Sequence, residues 1–238
     1  MRAMIFAAGL GTRLKPWTDE HPKALAVVNG KTLLQRNIQY LQQYGIRDVV
    51  VNIYHFPEQI REAVEQNNGW GSHITFSDET GQVLETGGGL KKAEKLLAGD
   101  GAFVVMNVDI LTDLRLDKMI ERHNYDRAVA TLAVTDRETS RYLLFNNQDE
   151  LVGWQNKKTG ETKIARNAKD YIPRAFSGVH VISDILFNLI KQEGKFSIID
   201  TYLNLANGSK IKGFDHSGGK LVDVGKPESI AVAEALFL

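Results

Sequence analysis

The chain of 238 residues contains no cysteine. That one absence removes disulfides, thiolate nucleophiles and cysteine-ligated metals together. Net charge is missing as well, because 29 Lys plus Arg balance 29 Asp plus Glu. Without a basic excess there is no electrostatic footprint for nucleic acid or an anionic membrane, and there is no acidic tail. Long hydrophobic runs are also lacking. Ala3 to Ala8 is too short for a signal-peptide core and stops at Gly9. No later stretch approaches the roughly 18 apolar residues of a membrane span. These absences describe a soluble, cytoplasmic protein with neither a nucleic-acid nor a membrane partner. The charge balance still permits a local cationic pocket for a small anion, and the length can bury a large core without a metal or disulfide staple.

What is present alternates between two periodicities. Arg2 to Ala8, Asp48 to Tyr54 and Ala102 to Val108 are continuous apolar runs that read as buried strands, with a shorter strand over His73 to Phe76. Between them, Thr32 to Tyr44 reads as a helix with Leu34, Ile38 and Leu41 on one face, Thr32 as cap and Gly45 at its end. Pro57 to Asn67 and Gly88 to Leu97 read as further helices. Strands apolar on both faces, alternating with helices, predict a Rossmann-like α/β fold with a mixed, mostly parallel central sheet flanked by helices. Right-handed crossovers then place residues 9 to 13 and 107 to 109 on the ligand-binding edge.

The second half is more mixed, with strands expected over Ala128 to Val134, Tyr142 to Phe145, Leu151 to Gln155 and Ala175 to Ile182. Residues 156 to 174 are polar and predict a loop or hairpin. Helices near 183 to 192 and 197 to 207, short strands around 211 to 214 and 220 to 223, and a last helix over 227 to 237 complete the reading. No repeat or linker interrupts it, so one domain over 1–238 is expected, with a first half at 1–125 and a more mixed second half at 126–238.

The segment Gly9-Leu10-Gly11-Thr12-Arg13 invites comparison with two phosphate-binding designs. A dinucleotide fingerprint needs a third glycine where Leu14 stands, and an acidic residue where the second strand has Asn52. A P-loop ending at Gly30-Lys31-Thr32 needs a leading glycine where Leu25 stands. Both fail. A glycine-rich loop for a free nucleotide is left: Ala7, Ala8, Gly9 and Gly11 let a ligand approach the backbone, exposed N–H groups can cradle anions, and Arg13 adds a guanidinium fork.

The longer string supports that design. Ala7 to Leu14, then Pro16, then Pro22-Lys23-Ala24-Leu25, resembles the signature of the sugar-1-phosphate nucleotidyltransferases, or NDP-sugar pyrophosphorylases. Leu84-Glu85-Thr86-Gly87-Gly88-Gly89, Asn107-Val108-Asp109, Phe176-Ser177-Gly178-Val179 and Val222-Asp223-Val224-Gly225 continue the likeness in order along the chain. Within the family, the short length and the L-E-T-G-G-G stretch look most like the branch that makes UDP-N-acetylmuramate.

The resemblance implies transfer of NMP from an NTP to a sugar 1-phosphate, with release of pyrophosphate. It gives Arg13 the β- and γ-phosphates and Lys23 the bridge between the α-phosphate and the incoming sugar phosphate. Ala8, Gly9, Gly11, Thr12, Glu85 and Gly88 would surround the nucleotide. Asn107, Ser177 and Gly178 would meet the sugar. Asp109 and Asp223 would share Mg²⁺, whose hard-oxygen preference they suit. UTP with N-acetylmuramate 1-phosphate is the expected pair; GTP with mannose or heptose 1-phosphate is the main alternative, with a cytidylyltransferase less favoured. A non-catalytic nucleotide-sugar-binding subunit would be expected to have lost Arg13, Lys23 or an aspartate, and all are present. Gln155 and Asn156 stand where many relatives carry an E-K-P-like segment, which leaves their sugar role open. His21, His55, His180 and His216 show no metal spacing and read as structural or solvated. The absence of a long C-terminal extension favours a monomer or small homo-oligomer.

Overall fold

A computed structural model describes residues 1–237. The chain starts with β1 (Ala3–Phe6), makes a two-strand ribbon from β2 (Val27–Val28) and β3 (Lys31–Thr32), and enters α1 (Leu33–Gln43). Thr32 caps α1 as expected, its Oγ1 accepting from the Gln35 N–H at 3.1 Å, and Gly45 ends the turn at φ 74°. Next come β4 (Asp48–Ile53), α2 (Pro57–Gln66), β5 (His73–Asp78), α3 (Glu85–Lys92), α4 (Glu94–Leu97) and β6 (Ala102–Asn107). The second half contains β7 (Ile110–Thr112), α5 (Leu116–Asp126), β8 (Ala130–Thr135), β9 (Arg141–Phe145), β10 (Leu151–Asn156), β11 (Thr162–Ile164) and β12 (Ile172–Ser183). It closes with α6 (Ile185–Leu189), α7 (Ile198–Leu205), β13 (Ile211–Asp215), β14 (Leu221–Asp223) and α8 (Pro227–Leu236).

One mixed sheet carries ten of these strands, in the order β11-β10-β9-β12-β6-β1-β4-β5, with β8 bonded to β12 and β13. Strands β6, β1, β4 and β5 run parallel, while β12 joins β6 in antiparallel sense. Successive residues of β1 point to opposite faces, Ala3 and Ile5 into one apolar core and Met4 and Phe6 into the other. Complete burial of Met4 and Ile5 removes about 1.5–3 kcal/mol of apolar exposure apiece. From β1 the chain moves outward through β4 to β5, then returns to place β6 on the other side of β1. This reversal is a topological switch point, where open α/β sheets form their ligand crevice. Phe6, Asn52 and Asn107 lie side by side at its rim.

Four elements were not foreseen: β2, β3, β7 and α5. In α5, five charged side chains dilute a buried stripe of Leu116, Met119 and His123. Helix α3 begins at Glu85, three residues before the expected start, because Gly87 to Gly89 pack as helical backbone rather than as a turn. The polar segment after β10 makes the anticipated hairpin, with β11 antiparallel to β10. No helix of the described residues is long and apolar enough to cross a membrane.

Candidate active site

The glycine loop leaves β1 under tight control. The N–H groups of Ala7 and Ala8 both donate to Asn52 Oδ1, at 2.7 and 3.3 Å. Asn52 Nδ2 donates to Glu79 Oε1 at 2.7 Å, and the other Glu79 oxygen accepts from the Leu84 N–H at 3.1 Å. Asn52 and Glu79 are both buried, so their polar groups require these partners. The expected anion cradle is therefore shorter than the sequence suggested. Asn52 occupies the first two N–H groups, whereas those of Gly9, Leu10 and Gly11 have no protein partner among the described residues.

Gly11 sits at φ 64°, and a Cβ there would lie 2.8 Å from Thr18 Cγ2 and 3.1 Å from Lys23 Cβ. Only glycine combines that conformation with that proximity. Thr18 Oγ1 donates back to the Gly11 carbonyl at 2.9 Å, and His55 Nε2 donates to the Thr18 carbonyl at 2.9 Å. These bonds fold the loop on itself and bring Lys23 beneath it.

Lys23 is 8% exposed, and its ammonium donates to the Asp109 carboxylate. Asp109 follows β6. The β7–β14 ribbon sets Asp223 opposite Ile110, and the Val224 N–H donates to the Asp109 carbonyl at 2.8 Å. Two acids far apart in sequence thus become neighbours through a backbone bond. Arg13 lies 3.7 Å from Asp223, both substantially exposed, so solvent weakens this pair. A Cβ at Gly225 would come within 2.5 Å of both Arg13 Nη2 and Asp223 Oδ1, which explains a bare backbone there. The donor set fits Mg²⁺, which takes one or two protein carboxylates and completes its shell with water and phosphate oxygens. Among the described residues no cluster of three or more such ligands forms, as a Zn²⁺ site would need.

These groups surround a cleft of about 350 Å³. Ala8, Gly9, Gly11, Thr12, Arg13, Lys23, Glu85, Asn107 and Asp109 all line it. Asp223 stands at its edge through Arg13 and Gly225. Glu85 is held at φ 59°, uncommon for a residue with a side chain, and reaches within 3.6 Å of Lys195.

Gly88 and Ser177 do not line the cleft. The Gly88 N–H is directed at the Phe196 carbonyl at 3.3 Å, and a Cβ at 88 would lie 2.1 Å from the Gly194 carbonyl oxygen. Gly88 lets α3 pack on residues 194–196. Ser177 is fully buried, with its hydroxyl hydrogen-bonded to His216 Nε2 at 2.8 Å. Gly178 has a different role from direct contact. At φ 73° its absent Cβ would fall 2.9 Å from Asn107 Nδ2, so it makes room for the Asn107 side chain.

Asn52, Glu79 and Thr86 also line the cleft and were missed. A polar residue inside the otherwise apolar run of β4 was the available signal for Asn52. Glu79 gave none, being one acid in a polar stretch. Of the histidines, His180 is fully buried against the Tyr202 hydroxyl at 2.8 Å, and burial lowers its pKa to about 3. Burial likewise lowers His123 to about 4.

A second cavity, about 340 Å³, opens beside the hairpin and carries Arg137, Arg141, Tyr142, Trp154, Lys163 and Phe176 in its wall. Gln155 and Asn156 do not line it. Gln155 Nε2 bonds Thr162 Oγ1 at 3.3 Å, and Asn156 Oδ1 accepts from the Lys158 N–H at 3.0 Å in the hairpin turn.

Residues 2–150 match the nucleotidyl transferase family. The chain belongs to that family. It is 31% identical to the N-acetylmuramate alpha-1-phosphate uridylyltransferase of Caulobacter vibrioides, over 98% of this chain and 95% of that protein. It is 29% identical to the mannose-1-phosphate guanyltransferase of Yarrowia lipolytica over its whole length, which spans 64% of that relative. The crystal structure of HddC from Yersinia pseudotuberculosis has the same fold, with a TM-score of 0.80 at 23% identity over 100% of this chain and 99% of that one.

Proposed function

We propose that this nucleotidyltransferase moves NMP from an NTP to a sugar 1-phosphate and releases pyrophosphate. The observation that carries the reading is the convergence of Arg13, Lys23, Asp109 and Asp223 on one cleft at the switch point of the sheet. The reaction brings two polyanions together and develops charge on a departing one. Its needs are in-line positioning and fixed positive charge, with no protein nucleophile.

The unpartnered N–H groups of Gly9, Leu10 and Gly11, with the Arg13 fork, hold the phosphate tail and neutralise the leaving pyrophosphate. Lys23 transfers its ammonium from Asp109 to the α-phosphate and the attacking sugar phosphate. As a compact point charge it can serve two oxygens at once. Asp109 and Asp223 would hold Mg²⁺, which when bound supplies further positive charge at the phosphates. Asn107, kept in place by the gap at Gly178, contacts the sugar side. Glu85, with Thr86 and Glu79, lies on the base and ribose side.

UTP and N-acetylmuramate 1-phosphate are the substrates we assign, supported by the 31% identity to the Caulobacter uridylyltransferase. GTP with mannose 1-phosphate is the second reading, supported by the similarity to the Yarrowia guanyltransferase. Pyrophosphate release measured for four NTPs against a panel of sugar 1-phosphates separates the two. Nucleotide binding without release for any pair would instead make the protein a non-catalytic binder.

A further inference from the structure

We propose that the second cavity binds a carboxylate carried by the sugar, so that the sugar 1-phosphate used by this protein has two anionic ends. The proposal rests on the reading of the cleft as a sugar-1-phosphate site and names the class of sugar.

Its first support is unmatched charge. Arg137, Arg141 and Lys163 face the cavity against a single carboxylate, Asp200. Lys163 already lies 3.7 Å from Glu161 and 3.8 Å from Asp200. Neither Arg137 nor Arg141 has a carboxylate partner among the described residues, and the one bond Arg137 makes is to the Phe176 carbonyl at 3.0 Å. Arg61, Arg122, Arg166 and Arg174 each have one, while Arg36, Arg47 and Arg127 do not; among the described residues, Arg137 and Arg141 are the pair of unpaired arginines that line one cavity together. In a chain of zero net charge, two guanidiniums without carboxylate partners lining one concave wall suit an anion, and their planar forks match a carboxylate.

The second support is the rest of the wall. Trp154, Tyr142 and Phe176 present aromatic surface between the cations, as suits the apolar face of a sugar ring and an acyl substituent.

Position supplies the third. Phe176 lies two residues before Gly178, which packs on Asn107 in the cleft wall. On the opposite side, Ser197 lines the cavity, and the N–H of its neighbour Ile198 donates to Thr86 Oγ1 at 3.0 Å, with Thr86 lining the cleft. The two hollows are therefore neighbours, linked through β12 and through the Thr86–Ile198 bond, with no residue lining both. A sugar whose 1-phosphate meets Lys23 can extend a carboxylate toward Arg137 and Arg141.

The test compares N-acetylmuramate 1-phosphate with N-acetylglucosamine 1-phosphate, the same ring without the lactyl carboxylate. Kd by calorimetry and KM by pyrophosphate release are measured for the wild type, Arg141→Gln and Arg137→Gln. The wild type should bind the carboxylated sugar at least about tenfold more tightly, the range of one charge-assisted hydrogen bond. Each substitution should shrink that ratio, raising Kd for N-acetylmuramate 1-phosphate about tenfold more than for N-acetylglucosamine 1-phosphate. Equal losses for both sugars would mean that the arginines hold the 1-phosphate, and would overturn the proposal. So would a wild type that does not discriminate between them. Discrimination in Kd without turnover for any sugar phosphate would leave the carboxylate site standing and overturn the assigned reaction.

Discussion

The two hollows of this protein are built in opposite ways. The nucleotide cleft is largely backbone: Gly9, Gly11 and strand ends at a switch point, with Lys23 and Arg13 each facing an aspartate. The second cavity is made of side chains from the antiparallel half, scattered between residues 137 and 203, with two guanidiniums unmatched. Backbone geometry restricts which residues are possible, so the first region leaves a motif in the sequence. Side-chain walls tolerate many substitutions, so the second region leaves almost none. We place phosphate chemistry in the constrained region and the choice of sugar in the permissive one.

The largest effect should come from the cleft. Lys23→Ala is expected to lower turnover by about 10²–10³-fold, the cost of one preorganised charge at a developing anion, with the circular dichroism spectrum unchanged. Near-normal activity would remove the lysine from the mechanism. Asp223→Asn should raise the Mg²⁺ concentration for half-maximal activity by about tenfold, since a neutral amide replaces one of two hard carboxylate donors. A superimposable metal titration would detach Asp223 from the metal.

Gly11→Ala tests whether the cleft is dictated by its backbone. The left-handed conformation costs about 1–2 kcal/mol for a residue with a Cβ, and contact with Thr18 adds to it. Tm should fall by about 2–8 °C, with a rise in the NTP KM. An unchanged Tm would show that the loop is not fixed by this glycine.

The smallest expected effect lies behind the second half. Folded His180 has a pKa of about 3 and His123 about 4, against 6.5 for the free imidazole, because burial disfavours the charged ring. Between those values the unfolded chain binds more protons. Stability is thus fully present above about pH 6.5 and is lost as pH falls toward 4. Urea midpoints at pH 7, 5.5 and 4.5 should decline in that order, with a shallower decline in His180→Asn. An equal slope in the variant would take His180 out of the acid response.

Legibility followed the same physical division. The core strands were readable because Val49 to Val51 and Phe103 to Met106 are buried on both faces and admit only apolar residues. Lys23 and Asp109 were singled out because Pro22-Lys23-Ala24-Leu25 and Asn107-Val108-Asp109 resemble the family's motifs. Helix α5 was hidden because its buried face is narrow and includes a histidine. Gly88 and Ser177 carried the expected motif, but their local partners, the Phe196 carbonyl and His216, are set by tertiary packing and left no local trace. Asn52 was noticed for the acid it is not, while its actual work, holding Ala7 and Ala8, requires two strands to be adjacent. Glu79 needs a third.

The most direct test of the account is pyrophosphate release by the intact protein with Mg²⁺, UTP and N-acetylmuramate 1-phosphate, run in parallel with GTP and mannose 1-phosphate. The account predicts release that requires both substrates, is fastest for the first pair, and is lost in Lys23→Ala. Release by neither pair, or release that survives Lys23→Ala, would contradict it.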